Sequence, residues 1–86
     1  MAWTYVLRSL KTGKQYVGST LLHPFERLKS HNAGTAAWTK ANRPLELIYS
    51  EPFESLELAQ KRERFFKTGK GRTILKSLLA DVKKIE

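Results

Sequence analysis

Two short runs with strand character, Trp3 to Arg8 and Gln15 to Ser19, flank the turn signal Lys11-Thr12-Gly13-Lys14 near the start of this chain. In the first run Trp3, Tyr5 and Leu7 alternate with Thr4, Val6 and Arg8, the period of two that puts successive side chains on opposite faces of a strand. Residues 3–19 therefore read as an antiparallel hairpin. A hairpin alone is marginal in water and needs a third strand or a helix to cover it. Leu45-Glu46-Leu47-Ile48-Tyr49, just after Pro44, supplies a third strand. The arrangement puts Tyr5 and Tyr16 on neighbouring strands.

The segments between and after the strands carry helical signals. Pro24 suits the first turn of a helix through Phe25 to Asn32, with Gly34 able to close it. Within it Arg27 and His31 are spaced i, i+4 and share a face. Residues Ala33 to Arg43 read as a connecting loop in which Trp38 is the one large anchor. Ser55 can cap a helix from Leu56 to about Lys67, with Glu54 and Glu57 near its positive end. On that helix Leu56, Ala59 and Phe66 fall to one side together with Glu63, a carboxylate at the border of an apolar stripe. Thr68-Gly69-Lys70-Gly71 reads as a break, and Arg72 to Lys84 as a last amphipathic helix with Ile74, Leu75, Leu78, Leu79 and Val82 inward.

With 86 residues the chain has material for one hydrophobic core, so residues 1–86 are expected to form a single domain. Cysteine is absent, which excludes disulfides, thiolate nucleophiles and Cys-type zinc sites. Neither a signal-type apolar run nor a stretch long enough to span a bilayer is present, so the expected location is cytoplasmic, with no membrane partner. Sixteen Lys and Arg against eight Asp and Glu give a formal charge of +8. That balance favours a polyanionic partner, nucleic acid first, through release of condensed counterions. The plain alternative is charge that only aids solubility.

Cleaving a phosphodiester takes a base for the attacking water, positive charge on the phosphoryl oxygens and, in most cases, a divalent cation. Tyr5 or Tyr16 can take a water proton if nearby cations lower its pKa; the alternative is cross-strand packing. Arg27 offers a planar fork to a phosphate, where its alternative is a solvated helix face. His31 can orient the base or meet the leaving oxygen, or simply answer the helix dipole. Glu63 can hold Mg²⁺ or Mn²⁺ through one carboxylate, or pair with Lys67 at i+4. Lys67, Lys70 and Arg72 around two glycines suit phosphate contacts, or form a charged helix cap.

Taken in order along the chain, these residues resemble the GIY-YIG domain in its small stand-alone bacterial form, and the resemblance covers nearly all of the sequence. Trp3-Thr4-Tyr5 stands for a degenerate first motif and Tyr16-Val17-Gly18 for the second, ten residues apart. Glu26-Arg27-Leu28, His31-Asn32-Ala33-Gly34, Trp38-Thr39-Lys40, Arg43 to Tyr49, Glu51, Phe53-Glu54, Ala59, Arg62-Glu63 and Lys67 to Arg72 follow. The resemblance implies an α+β fold with a small three-stranded antiparallel sheet flanked by helices. It also implies a divalent-metal-dependent endonuclease acting on DNA, in repair or recombination. By the same carry-over Tyr5 and Tyr16 shape the water site, Arg27 stabilises the phosphoryl transition state, His31 assists and Glu63 holds a single metal.

Three departures accompany the match. The first motif lacks its glycine and isoleucine, the stretch from Gly18 to Arg27 is one residue longer through Leu21-Leu22-His23-Pro24, and no Asn follows Asn42, leaving Lys70 or Arg72 to stand in. The reach of Arg27 is thus the feature most in need of structural placement. The alternative functions are a non-catalytic nucleic-acid-binding module and an adaptor subunit with a protein partner; oligomeric state is not legible.

Overall fold

The computed structural model describes residues 1–33 and 37–85, with the side chains of 37–39 and 82–85 left undescribed. Its elements are β1 (Ala2–Ser9), β2 (Gln15–Thr20), α1 (Pro24–Asn32), α2 (Ala37–Asn42), β3 (Leu45–Phe53), α3 (Leu56–Phe66) and α4 (Gly69–Ile85). The three strands form an antiparallel sheet in the order β2-β1-β3. This is the α+β architecture expected from the sequence.

The hairpin turn is built by Ser9 and Gly13. Ser9 Oγ accepts from the backbone N–H groups of Lys11 and Thr12 and donates to the carbonyl of Asn42, 2.5 Å away. Gly13 adopts φ +78°, a left-handed conformation that costs glycine little. Thr12 Oγ1 also donates to Asn42 Oδ1, so the turn is tied to the end of α2.

β1 is the central strand and is buried along almost its whole length, so its two faces define two layers of core. On one face Tyr5 and Leu7 join Leu45, with Tyr16, Leu28 of α1 and Leu47 packed against them. On the other Val6 joins Phe66 of α3 and Leu75 of α4, with Val17, Ile48, Tyr49, Leu78 and Leu79 around them. Thr4, on this second face, donates its hydroxyl to the Ala59 carbonyl at 2.6 Å and fixes α3 on the sheet. A bulge makes the two-sided packing consistent. Val6 pairs with Tyr49 and Leu7 with Leu47, leaving Ile48 as the extra residue. Ile48 and Tyr49 thereby both reach the Phe66 layer, which strict alternation forbids.

Several expected boundaries shift. The span read as a loop from Ala33 to Arg43 contains α2, which ends at Asn42 before Arg43-Pro44, where a residue preceding proline is driven out of the helical region. Gly34, expected to close α1, falls outside the described residues, and the side chain of Trp38, the expected anchor, is among those left undescribed. β3 runs on to Phe53 rather than stopping at Tyr49, because Trp3 and Ala2 remain available to pair with Pro52 and Phe53. Proline is tolerated there because β3 is an edge strand. The last helix starts at Gly69 instead of Arg72, with Thr68 Oγ1 accepting from Gly71 N at 3.0 Å. Ser55 caps α3 as expected, accepting from Leu58 N. No described helix is long and apolar enough to cross a membrane.

Candidate functional site

Tyr16 and Gly18 alternate with Val17 and Ser19 along β2, so they share the sheet face of Tyr5 and Leu7. Tyr5 lies opposite Gly18 in the strand register and Tyr16 opposite Leu7. The Tyr5 and Tyr16 rings sit 6.2 Å apart, and α1 brings the His31 ring to 5.9 Å from Tyr5 and 5.1 Å from Tyr16. Gly18 permits this closeness. A Cβ at that position would stand 2.5 Å from the Tyr5 hydroxyl and 2.9 Å from Cε1 of Tyr16, so the glycine of the second motif is demanded by sterics at an ordinary backbone conformation.

Tyr5 is 1% exposed, and its hydroxyl is 2.8 Å from His31 Nε2. Burial pushes the Tyr5 pKa up to about 12, only partly offset by the Arg27 guanidinium beside it. Burial thus acts against the lowered pKa that a base role for Tyr5 calls for. The Tyr5 hydroxyl ties β1 to His31 of α1. Burial also lowers the pKa of His31, with the charge of Arg27 adding to the effect, so the imidazole is neutral. In either neutral tautomer Nδ1 of His31 is left without a partner among the described residues. At 2% exposure this histidine acts from inside the protein, not as a solvent-facing helix cap. Half-buried Tyr16 is the tyrosine of the pair that water can reach.

The longer β2–α1 connection does not displace Arg27. Nδ1 of His23 accepts from Phe25 N at 3.3 Å and Pro24 opens the helix, so α1 begins immediately after the extra residues and delivers Arg27 to the side of Tyr5. The same helix is clamped at its far end by Asn32, whose side-chain amide donates to the Leu45 carbonyl and accepts from Leu45 N.

Glu63 approaches β2 from the opposite face. Its Oε1 accepts from Ser19 Oγ at 2.7 Å, and its Oε2 pairs with Lys67 Nζ at 2.7 Å. The i+4 pair expected from the sequence is thus formed, together with a link to β2 that the sequence did not reveal. Because β2 is an edge strand, residues on its two faces meet around a single free edge: Tyr16 and Gly18 on one side, Ser19 and Glu63 on the other. The neighbouring Arg62 is occupied otherwise. It holds Glu51 at 2.9 and 3.3 Å through two nitrogens and lies over the Phe66 ring at 4.4 Å.

A groove of about 1000 Å³ runs from Tyr16 between the sheet and α4. Its floor includes Val17, Phe66 and Leu75, and its rim carries Lys67, Arg72 and Lys76, with the Arg8–Glu46 ion pair at one end. Of the three cations expected to meet a phosphate backbone, Lys67 and Arg72 line this groove. Lys70 is exposed in the first turn of α4, away from it. Lys76 was missed by the sequence reading, although its i+4 spacing from Arg72 is a signal for a shared helix face.

Comparison with known proteins gives two findings. Residues 1–75 match the model of the GIY-YIG catalytic domain. The chain is also 40% identical to a UPF0213 protein of Streptococcus agalactiae serotype V over 67 residues, covering 77% of this chain and 74% of the relative. UPF0213 protein YazA of Bacillus subtilis is 42% identical over 65 residues, 73% of this chain and 63% of its own length. A UPF0213 protein of Staphylococcus haemolyticus is 37% identical over 67 residues, 77% and 79% respectively. No solved structure matches.

Proposed function

This chain belongs to the GIY-YIG catalytic domain family, a nuclease family, and on that premise we propose that it is a divalent-metal-dependent endonuclease hydrolysing DNA phosphodiester bonds. The observation that carries the proposal is the gathering of Tyr16, Arg27 and the Tyr5–His31 pair on one side of the β2 edge, with Glu63 fixed to Ser19 on the other.

In this reading the scissile phosphate lies along the β2 edge and Arg27 donates to its non-bridging oxygens, where a positive charge counts most as the transition state gathers negative charge. Tyr16 orients the attacking water through its hydroxyl, and the proton that water loses passes to solvent at the open β2 edge. Protonated Tyr5 and neutral His31 keep Arg27 and Tyr16 in place, and their burial keeps water from competing for those groups.

Glu63 and the Ser19 hydroxyl are hard oxygen donors and fit a cation such as Mg²⁺ or Mn²⁺ that keeps most of its water and takes phosphate oxygens. They do not fit a closed cage: among the described residues no group of three or more His, Cys, Asp or Glu side chains is placed to hold a metal. Held by Glu63 and Ser19, such a cation would supply positive charge against the charge that develops at the phosphoryl group. Lys67, which lines the groove while paired with Glu63, would be freed from that pair and with Arg72 and Lys76 would meet the flanking backbone.

The test is a panel of labelled linear, nicked, flapped and branched DNAs incubated with Mg²⁺ or Mn²⁺. Glu63→Gln should reduce cleavage to background, and Arg27→Ala should lower it about 10²- to 10³-fold. Wild-type protein that cuts nothing above the Glu63→Gln control refutes the proposal. One observation favours a second reading, a binding module without turnover: the Lys67 ammonium already neutralises Glu63. That reading expects salt-sensitive DNA binding, unchanged in Glu63→Gln, and no cleavage. A role in repair or recombination follows from the first reading if flapped or branched DNA is the preferred substrate.

A further inference from the structure

The residues that lengthen the β2–α1 connection create a surface feature that the proposed chemistry does not use. His23 and Phe25 stack nearly parallel, with ring centroids 5.6 Å apart and planes 14° from each other. Trp3 leans on the inner side of His23 at 5.4 Å. The three rings thus form a short column, stacked at its outer His23–Phe25 pair and tilted by 59° at Trp3, and its outermost member, Phe25, is 59% exposed. Leu21 and Leu22 stand exposed beside it.

The column is held rather than loose. His23 is fixed by accepting from Phe25 N, Leu22 N donates to Thr20 Oγ1 at 2.9 Å, and Trp3 is anchored in the central strand opposite Thr20. Exposing a large aromatic ring to water while ordering the ring beneath it makes little sense for stability, since the same residues would gain more by turning inward. A pre-ordered stack with a free outer face is instead suited to receive another flat ring.

We propose that the Trp3–His23–Phe25 column is a stacking site for an unpaired nucleobase, so that the substrate carries single-stranded nucleotides next to the point of cleavage. The inference rests on the nuclease reading above. Two observations select this occupant over an apolar protein surface or a second copy of the chain. Trp3 lies two residues from Tyr5 on the same face of β1, so the column lies on the sheet face that carries Tyr5 and Tyr16. The chain carries a formal charge of +8, which attracts a polyanion and repels another copy of itself. Bases present a flat face whatever their identity, so a stacking site accepts unpaired nucleotides with little sequence preference.

The test compares binding of a fluorescent oligodeoxythymidine with that of an abasic strand of equal length and charge, read by anisotropy in the absence of divalent metal. Wild type should favour the strand with bases by about 5- to 100-fold. Phe25→Ala should erase that preference while leaving abasic-strand affinity unchanged, and Phe25→Trp should restore it. Phe25 is exposed, so these variants should keep the fold, which a thermal melt verifies. Equal wild-type affinity for the two strands overturns the proposal, as does a preference that survives Phe25→Ala. Self-association that depends on Phe25, seen by sedimentation, overturns it in favour of a second copy. Failure to bind either strand removes the nuclease reading as well; loss of the base preference alone removes only the stacking site.

Discussion

Replacing Gly18 by alanine sets two physical expectations against each other. Glycine inside a strand is a weak choice, and alanine should stabilise an ordinary strand position by about 0.5–1 kcal/mol. Here the new methyl group would stand 2.5 Å from the Tyr5 hydroxyl, 2.7 Å from its Cζ and 2.9 Å from Cε1 of Tyr16. Tyr5 has no room to retreat, being fully buried against Leu7 and Leu45. Overpacking of this kind costs about 1–3 kcal/mol. Displacing the Tyr5 hydroxyl also breaks its contact with His31, whose other ring nitrogen is already unpartnered, and an unsatisfied buried polar group costs about 1–3 kcal/mol. Set against the strand gain, the net loss is about 1–5 kcal/mol, and at roughly 4–8 °C per kcal/mol for a domain of this size Tm should fall by about 4 °C or more. Circular dichroism melts of wild type and Gly18→Ala check the sign and the size. The cause is isolated by a cycle with Tyr5→Phe, which deletes the closest atom: the cost of Gly18→Ala should fall in that background, with a coupling of about 1 kcal/mol or more. A Tm that is unchanged or raised, or a cost fully additive with Tyr5→Phe, refutes the reasoning.

The two glycines of the α3–α4 junction should behave oppositely. A Cβ on Gly71 would collide with the Phe65 carbonyl and sit 2.9 Å from Phe66 Cα, so Gly71→Ala should cost about 3 kcal/mol or more in denaturant melts, whereas Gly69 has open space and Gly69→Ala should be neutral or stabilising. His31 has a folded pKa below its ordinary 6.5, so the unfolded chain binds the extra proton first as pH falls. Stability should therefore decline from just above pH 6.5 downward until the lowered folded pKa is passed, and His31→Gln should flatten that slope; stability that rises on acidification through this range contradicts the assignment. Tyr5 and Tyr49 both have pKa values raised to about 12, chiefly by burial. Stability should fall between pH 10 and 12 as the unfolded chain ionises first, and phenolate absorbance of these two side chains should appear late; ionisation of both near pH 10 in the folded state rules out the buried placement.

The sheet was legible because its signals are local. Alternation from Trp3 to Arg8, a glycine-bearing turn and Ser55 ahead of an apolar helical stripe act over a few residues, and each produced the expected element. The order of motifs from Tyr5 to Arg72 likewise identified the family. α2 and the outer half of β3 were not legible for the converse reason. Ala37–Asn42 is too short to show a helical period, and Ser50 to Phe53 become a strand only because Ala2 to Tyr5 lie alongside. Among the candidate residues, i+4 spacing alone anticipated the Glu63–Lys67 pair and the shared face of Arg27 and His31. Nothing local indicated that Ser19 would bond Glu63 across 44 residues.

What the sequence determined by itself is the inventory: which groups exist, how they are spaced along strand or helix, and that the whole is strongly basic. Tertiary structure alone decided their chemical states and their sides. Burial raises the pKa of Tyr5 and lowers that of His31, because desolvation depends on what surrounds a group and not on its neighbours in the chain. The bulge at Ile48 and the edge position of β2 decided which residues share a face, since side-chain direction in a sheet is set by pairing register, and pairing joins residues far apart in sequence.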